Sequence, residues 1–343
     1  MKSFSKRIFR SLTASLLSLV LILLALGGGW WLHGALAAPA PPQIIGYQCL
    51  RLGGYTYINP LLLCDNNTVD ASPILAPLQN KLNNLIASKV ASHDIDSASI
   101  YFRDFSVNAT TNINPDQKYY PASLNKIPTM IAAYKMAEKD PSVLQHQITV
   151  NSSSDTNAGI EIQPKVRLQV GQTYTVEEAI EKMIKYSDNN AFYALASYVD
   201  PTLFQQAFRD LKVPLREDSS QPEDYMTAKD FSYFLRVLVN ATYIDRDLSE
   251  KAMELLGEVD FTDGLAKGLP AGTQVAHKFG IDTKTEGGKV TARELQDCGI
   301  VYAPNKRYLL CVMTRSTGSL ANAEKAIQEI SKTTYQEATN GYK

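Results

Sequence analysis

The sequence predicts an α/β (α+β) fold in which one sheet draws its strands from both ends of the chain around a helical insert. Three observations carry that expectation. A helix and an alternating strand open the folded region, helical signals alone fill the middle, and strand signals return late, before a final helix. With 343 residues, 45% of them hydrophobic and 20% charged, the chain has material for one large domain or two intermingled subdomains. That composition excludes disordered, collagen-like and small disulfide-scaffold classes.

Local patterns justify each element. Ser72 is an N-cap before Pro73, and Leu75, Leu78, Leu82, Leu85, Ile86 and Val90 recur at three- and four-residue steps. Ser97–Phe105 alternates, with Ala98, Ile100 and Phe102 on one face and Ser99, Tyr101 and Arg103 on the other, which predicts a half-buried strand. A helix is expected over 123–138. Thr175 and Glu178 form a capping box ahead of Val176, Ile180, Met183 and Ile184. Asp200-Pro201 opens another helix, and Thr227 opens one carrying Phe231, Phe234, Leu235 and Leu238. Leu248–Leu256 is a short helix stopped by Gly257. Strands are then expected over Gln274–Ile281 and, as a hairpin, over Cys298–Tyr302 and Tyr308–Thr314. A helix over Ser319–Thr334 follows.

The first ten residues hold Lys2, Lys6, Arg7 and Arg10 and no acid, and Ser11–Leu32 then runs 22 residues without a charge. Two readings compete for this segment. As a signal peptide it ends at an A-x-A cleavage site, Ala35-Leu36-Ala37. As an anchor it reaches the ~20 residues that span hydrocarbon, with Trp30 and Trp31 at the outer interface. The length of the uncharged run favours the anchor, and Gly27-Gly28-Gly29 weighs against it. In both readings the basic end stays inside and the rest is exported. The expected organisation is a cytoplasmic basic region over 1–10, a membrane anchor or signal over 11–32, and a linker or extension over 33–71. The folded domain follows over 72–343, its helical subdomain at about 120–260. The chain is expected at the cell membrane as a single-pass protein with that domain outside the cytoplasm, or secreted if the signal is cleaved.

Beyond the basic start, 30 Lys and Arg face 35 Asp and Glu, which argues against a nucleic-acid partner. Four scattered histidines without helical ligand spacing, and no C-x-x-C, argue against a metal site, and nothing implies a cofactor. The cysteines form two local pairs, Cys49 with Cys64 and Cys298 with Cys311. The second pair flanks Pro304-Asn305, and a two-residue hairpin loop there sets 298 opposite 311, where side chains come closest. Buried or free thiols and disulfides both remain as readings; export favours disulfides.

Three short stretches carry chemistry. Ser123-Leu124-Asn125-Lys126 opens a predicted helix, so hydroxyl and amine at i and i+3 share a face. A neutral lysine there can take the serine proton if burial or a neighbouring cation lowers its pKa. Ser187-Asp188-Asn189 follows the 175–186 helix, and Lys278-Phe279-Gly280 lies on a late strand. Taken singly each is common: a helix cap beside a surface lysine, a polar loop, a strand-end lysine before a glycine. Ser3–Lys6 repeats the first pattern by accident.

In this order and context the three stretches resemble the penicillin-recognising serine enzymes, the class A β-lactamases and their penicillin-binding relatives, over roughly residues 72–335. Gly171–Tyr186 and the Cys298–Thr314 hairpin look like that family too. The resemblance implies a mainly antiparallel sheet with helices on both faces, beside an all-helical subdomain. It implies Ser123 as acylated nucleophile, Lys126 as its base and Ser187 as donor of a proton to the leaving nitrogen. Asn189 would hold the substrate's side-chain amide. Lys278, with Gly280 beside it, would offer positive charge to a substrate carboxylate and depress the Lys126 pKa by like-charge proximity. The backbone N–H groups of Ser123 and Ile281 would form the oxyanion hole.

Two departures stand out. Phe279 replaces the Thr or Ser usual between the lysine and glycine of the third motif, so a hydroxyl for the substrate carboxylate is missing. No E-x-x-L-N lies between 189 and 278 to activate water for deacylation; Glu217 and Glu223 fall in about the right place but read equally as solvated loop acids. Pro128 falls in the first turns of its helix. The expected function is that of a class A β-lactamase-like serine hydrolase opening β-lactam or D-Ala-D-Ala-like amides through an acyl-serine. Its partners would be a β-lactam or peptidoglycan stem peptide and, through the N-terminal segment, the membrane. The missing Glu favours a slow-deacylating penicillin-binding protein or D,D-peptidase instead, and Phe279 motivates a non-catalytic binding module.

Overall fold

The computed structural model describes residues 49–63, 72–216, 218, 220–223 and 225–342. The expected export segment, Cys64 and Glu217 lie outside them. Among the described residues no helix is long and apolar enough to cross a membrane.

One five-stranded sheet organises the chain. Strands β3 (Ser97–Asp104) and β4 (Ala109–Ile113) come from the front, and β7 (Gln274–Glu286), β8 (Lys289–Ala303) and β9 (Lys306–Ser316) from the back. Their order is β4-β3-β9-β8-β7, and every neighbouring pair is antiparallel. Helix α1 (Ala76–Ala91) precedes β3. Between β4 and β7 run α2 (Lys126–Lys139), α3 (Val176–Lys185), α4 (Asn189–Tyr198), α5 (Pro201–Leu211), α6 (Ala228–Val239) and α7 (Arg246–Gly257). A short antiparallel pair, β5 (Gln147–Thr149) and β6 (Thr173–Thr175), sits among these helices. Helix α8 (Leu320–Thr339) ends the fold, packed on β8, β9 and α1. The predicted capping box at Thr175 and Glu178 is present, and Thr227 forms a second with Asp230.

Strand β3 departs from the half-buried expectation. Ser99, Tyr101 and Arg103 are buried along with Ala98, Ile100 and Phe102. The cause is position: β3 pairs on both sides, Phe102 stacks near Tyr342 beyond α8, and α6 packs over the strand as well. Alternation reports which residues share a face, not whether the second face stays open.

The late hairpin is longer than expected. Strands β7 and β8 continue past Ile281 as one ladder to the Gly287-Gly288 turn, where both residues have positive φ (56° and 77°). The polar stretch between Asp282 and Gln296 hid these strands. The β8–β9 turn is two residues, Pro304-Asn305, and it sets Cys298 opposite Cys311, which are disulfide-bonded. Cys49 is disulfide-bonded as well.

Residues 49–63 form more than a tether. Strands β1 (Leu50–Arg51) and β2 (Leu61–Leu63) pair, and the loop between them is seated on α7. The Glu250 carboxylate accepts backbone N–H groups from Thr56, Tyr57 and Ile58 at 2.8–3.1 Å. Arg307 donates to the Ile58 carbonyl, and Ile58 is buried.

Candidate active site

Helix α2 is buried along most of its length, including Lys126, Ile127, Pro128 and Met130. Pro128 sits in its first turn, where backbone N–H groups have no intrahelical acceptor, so the proline removes no ladder bond there. Ser123 is not in α2 itself. It lies in a 3₁₀ turn, Ala122–Asn125, just before the helix. Ala122 has φ +48°, a left-handed conformation that an alanine adopts at a cost.

Side chains from the sheet hold this strained turn. Tyr120 N–H donates to Glu294 at 2.9 Å, and Gln296 donates to the Tyr120 carbonyl at 3.1 Å. Both residues are on β8 and fully buried. Gly280 on β7 closes the contact from the edge strand. A Cβ there would fall 2.6 Å from the Pro121 oxygen and 3.2 Å from the Ser123 nitrogen. Ile281 follows one residue further along β7.

The second motif comes from the α3–α4 junction. Ser187 has φ +59° directly after the end of α3, a position where glycine is usual. Its carbonyl and hydroxyl both face Lys126. Lys126 Nζ lies 2.6 Å from Ser187 O, 3.1 Å from Ser187 Oγ, 2.8 Å from Asn189 Oδ1 and 2.9 Å from Ser123 Oγ. The structure therefore gathers Ser123, Lys126, Ser187 and Asn189 around one nitrogen.

Burial lowers the Lys126 pKa from its ordinary value to about 7, partly opposed by the negative charge of Asp188. Near neutrality a large fraction of this amine is uncharged, with two N–H groups and one lone pair. The Ser187 carbonyl and Asn189 Oδ1 can only accept, so they take the two N–H groups. The Asn189 orientation is fixed by its own Nδ2, which donates to the Thr156 carbonyl at 3.3 Å. The lone pair is left for a hydroxyl, that of Ser123 or Ser187. This geometry can accept a proton from Ser123.

Asp188 is the buried post beneath the motif. Its carboxylate accepts from Asn157 Nδ2 and Leu168 N–H at 2.7 Å and from Asn190 N–H at 3.0 Å. Asn157 Oδ1 in turn accepts the Asn189 N–H at 2.8 Å. Sequence reasoning missed Asn157, Glu294 and Gln296, because nothing local to them signals contacts with residues more than thirty positions away.

Lys278 is fully buried, with its pKa well below the ordinary lysine value because of burial first and repulsion from Lys126 second. Its Nζ donates to the Phe279 carbonyl at 3.2 Å and sits 4.2 Å from the Phe279 ring centre. Phe279 does not stand open in a pocket. Its ring is buried and stacked on Phe261, with centroids 4.2 Å apart. Behind it, His277 and Asp297 form a buried 2.8 Å contact, and Asp297 also accepts the Leu265 N–H.

The loop after α5 approaches from the other side. Tyr119 and Met226 exchange backbone hydrogen bonds, which brings Tyr225 to Asn125, whose Nδ2 donates to the Tyr225 hydroxyl at 3.3 Å. Glu223 is exposed and pairs with Lys284 at 3.8 Å. Among the described residues no group of His, Cys, Asp and Glu is arranged to hold a metal ion.

An antiparallel sheet flanked by helices, with a serine, a buried lysine, a second serine and an asparagine meeting beside its edge strand, defines the class of penicillin-recognising serine enzymes. The chain belongs to the β-lactamase enzyme family, whose sequence profile matches residues 77–338. Solved structures with the same fold include a point mutant of PBP-A in an acyl-enzyme complex with penicillin G. It has TM-score 0.63 and 20% identity, covering 78% of this chain and 97% of that one. A β-lactamase from Sphaerobacter thermophilus has TM-score 0.62 and 19% identity, over 76% and 97% of the two chains. A class A β-lactamase representative from Bacteroides cellulosilyticus has TM-score 0.63 and 20% identity, over 80% and 100%. No curated protein matches the sequence.

Proposed function

We propose that the protein is a serine hydrolase that opens β-lactam or D-Ala-D-Ala-like amides through an acyl-serine intermediate on Ser123. The observation that carries this reading is the 2.9 Å approach of a buried lysine, its pKa lowered to about 7, to the Ser123 hydroxyl, with acceptors for two N–H groups already supplied by Ser187 O and Asn189 Oδ1. Lys126 takes the Ser123 proton as Oγ adds to the carbonyl carbon. Ser187, 3.1 Å from the same nitrogen, relays a proton to the departing amine, and the C–N bond breaks. The N–H groups of Ser123 and Ile281 receive the oxyanion, and Asn189 orients the substrate's amide. Lys278, with Gly280 beside it, is the group this reading assigns to the substrate carboxylate, whose negative charge would oppose the lowering of its pKa and favour its charged form.

A slow-releasing penicillin-binding protein is the second reading, favoured by the outward pairing of Glu223 with Lys284. The likeness to a penicillin-binding protein solved as an acyl-enzyme is in keeping with it. Residues 11–32 act as the export segment in either case, and the Cys298–Cys311 disulfide suits an oxidising compartment.

Intact-mass measurement of the full chain with a penicillin, against Ser123→Ala, tests both readings. A short-lived adduct with rapid drug loss supports a β-lactamase, and a persistent adduct supports a penicillin-binding protein. An intact drug and no adduct at Ser123 overturns both and leaves a binding module.

A further inference from the structure

The β1–β2 pair turns leucines to solvent. Leu50 and Leu63 are opposed in its register and are 60% and 68% exposed. Cross-strand partners share a face, so the two side chains form one apolar tip. Two residues on from Leu50, Leu52 enters the wall of a cleft of about 460 Å³, which Gly53 and Tyr55 also line. Asn305, Lys306 and Arg307, from the β8–β9 turn and the start of β9, line it as well. Among the described residues no Asp or Glu does.

Positive charge gathers at this face. Arg103 and Arg307 both repel Arg51 and, after burial, are what lower its pKa to about 10. The hydrogen bonds of these guanidiniums go to neutral acceptors. Arg51 donates to the Asn59 carbonyl and Asn240 Oδ1, Arg103 to Asn108 Oδ1, and Arg307 to the Thr56 and Ile58 carbonyls. Two carboxylates lie close by and are already engaged. Asp104 accepts from Lys306, Ser106 and Tyr342, and Glu250, which attracts Arg307, accepts three loop N–H groups. Positive charge is left in excess beside the exposed leucines.

The sequence says what this face meets. The expected anchor ends at Leu32, and residues 33–49 hold no Asp, Glu, Lys or Arg. Those residues reach about 60 Å at full extension and join the folded domain at β1. A domain tethered through β1 meets the bilayer at high effective concentration with this face. Apolar side chains beside cations are the chemistry of an interface with anionic lipid.

We propose that the β1–β2 pair and the β8–β9 turn dock the domain on an anionic lipid bilayer. Leu50 and Leu63 enter the interface, and Lys306 and Arg307 face lipid phosphates. Tyr302, which lines the cleft, and Glu294, which holds the Ser123 turn, are eight residues apart on β8, about 27 Å. Docking at this end therefore keeps Ser123 clear of the lipid surface. The proposal rests on the reading of residues 11–32 as a retained anchor.

The test is amide hydrogen exchange on the full chain in lipid nanodiscs. Discs of phosphatidylglycerol mixed with phosphatidylcholine are compared with discs of phosphatidylcholine alone. Amides over 50–63 and 303–307 are expected to exchange about tenfold more slowly in the anionic discs, the scale of two basic residues at a charged surface. High salt should cancel the difference, and the double change Leu50→Ser with Leu63→Ser should reduce it while leaving α2 unaltered. Equal exchange in the two kinds of disc, from a chain that stays with them, overturns the docking face and leaves the anchor standing. A chain that leaves the discs, with an intact mass showing cleavage after Ala37, overturns the anchor and the docking with it.

Discussion

Gly280 and Ser123 meet backbone to backbone, with room for a hydrogen and none for a methyl group: a Cβ on Gly280 would lie 3.2 Å from the Ser123 nitrogen. The same Cβ would lie 2.6 Å from the Pro121 carbonyl oxygen, a rigid part of the chain. Gly280→Ala therefore displaces the turn that carries the nucleophile. It is expected to slow acylation by about 10²–10³, the cost of losing an oxyanion donor. The overpacking should lower stability by about 1–3 kcal/mol. Adduct kinetics and a urea titration check the two effects separately.

Burial brings the Lys126 pKa to about 7. The acylation rate should therefore rise with pH through that value as the amine loses its proton. Stability follows the same direction. An unfolded lysine keeps its proton to about pH 10.4, so above pH 7 the unfolded chain binds more protons than the folded one. The penalty on folding is full below pH 7 and relieved as pH rises towards the unfolded value. Urea midpoints across this range, compared with Lys126→Met, check the sign; a rate independent of pH from about 6 to 8 would count against Lys126 as the base.

Asp188 opposes that shift by attracting charge to Lys126. Asp188→Asn should move the alkaline rise in acylation below pH 7. It should also cost about 1–3 kcal/mol, because an amide cannot satisfy the Asn157, Leu168 and Asn190 donors together. The pH–rate profile separates the electrostatic role from the structural one. A profile unmoved on the pH axis, with stability reduced, would leave Asp188 a purely structural post.

Glu250 accepts three successive backbone N–H groups from the loop between β1 and β2. Glu250→Gln replaces one acceptor oxygen with a donor nitrogen and leaves at least one of those N–H groups unpaired. Amide hydrogen exchange over residues 50–63 should rise, with about 1–3 kcal/mol lost locally and α2 unaffected.

Much of the fold was legible along the chain. The capping residues at Thr175 and Thr227, the three- and four-residue apolar steps of α1 and α8, and the two-residue turn at Pro304-Asn305 are local signals with local causes. Burial on the second face of β3 and the extension of the β7–β8 hairpin were not legible. The first depends on helices that come from elsewhere, and the second on ladder bonds that polar side chains do not advertise.

The site divides the same way. Sequence spacing alone puts Ser123 and Lys126 on one face, three residues apart. Only the tertiary structure makes the lysine a candidate base, because Ser187 and Asn189 arrive from 61 and 63 residues away to take its hydrogens and exclude water. Whether Phe279 opens into the pocket or packs against Phe261 was likewise decided by a neighbour eighteen positions off, which no reading of Lys278-Phe279-Gly280 contains. The chain by itself determined which groups could react. Packing determined their protonation and reach, since desolvation and hydrogen-bond geometry are properties of surroundings rather than of residues.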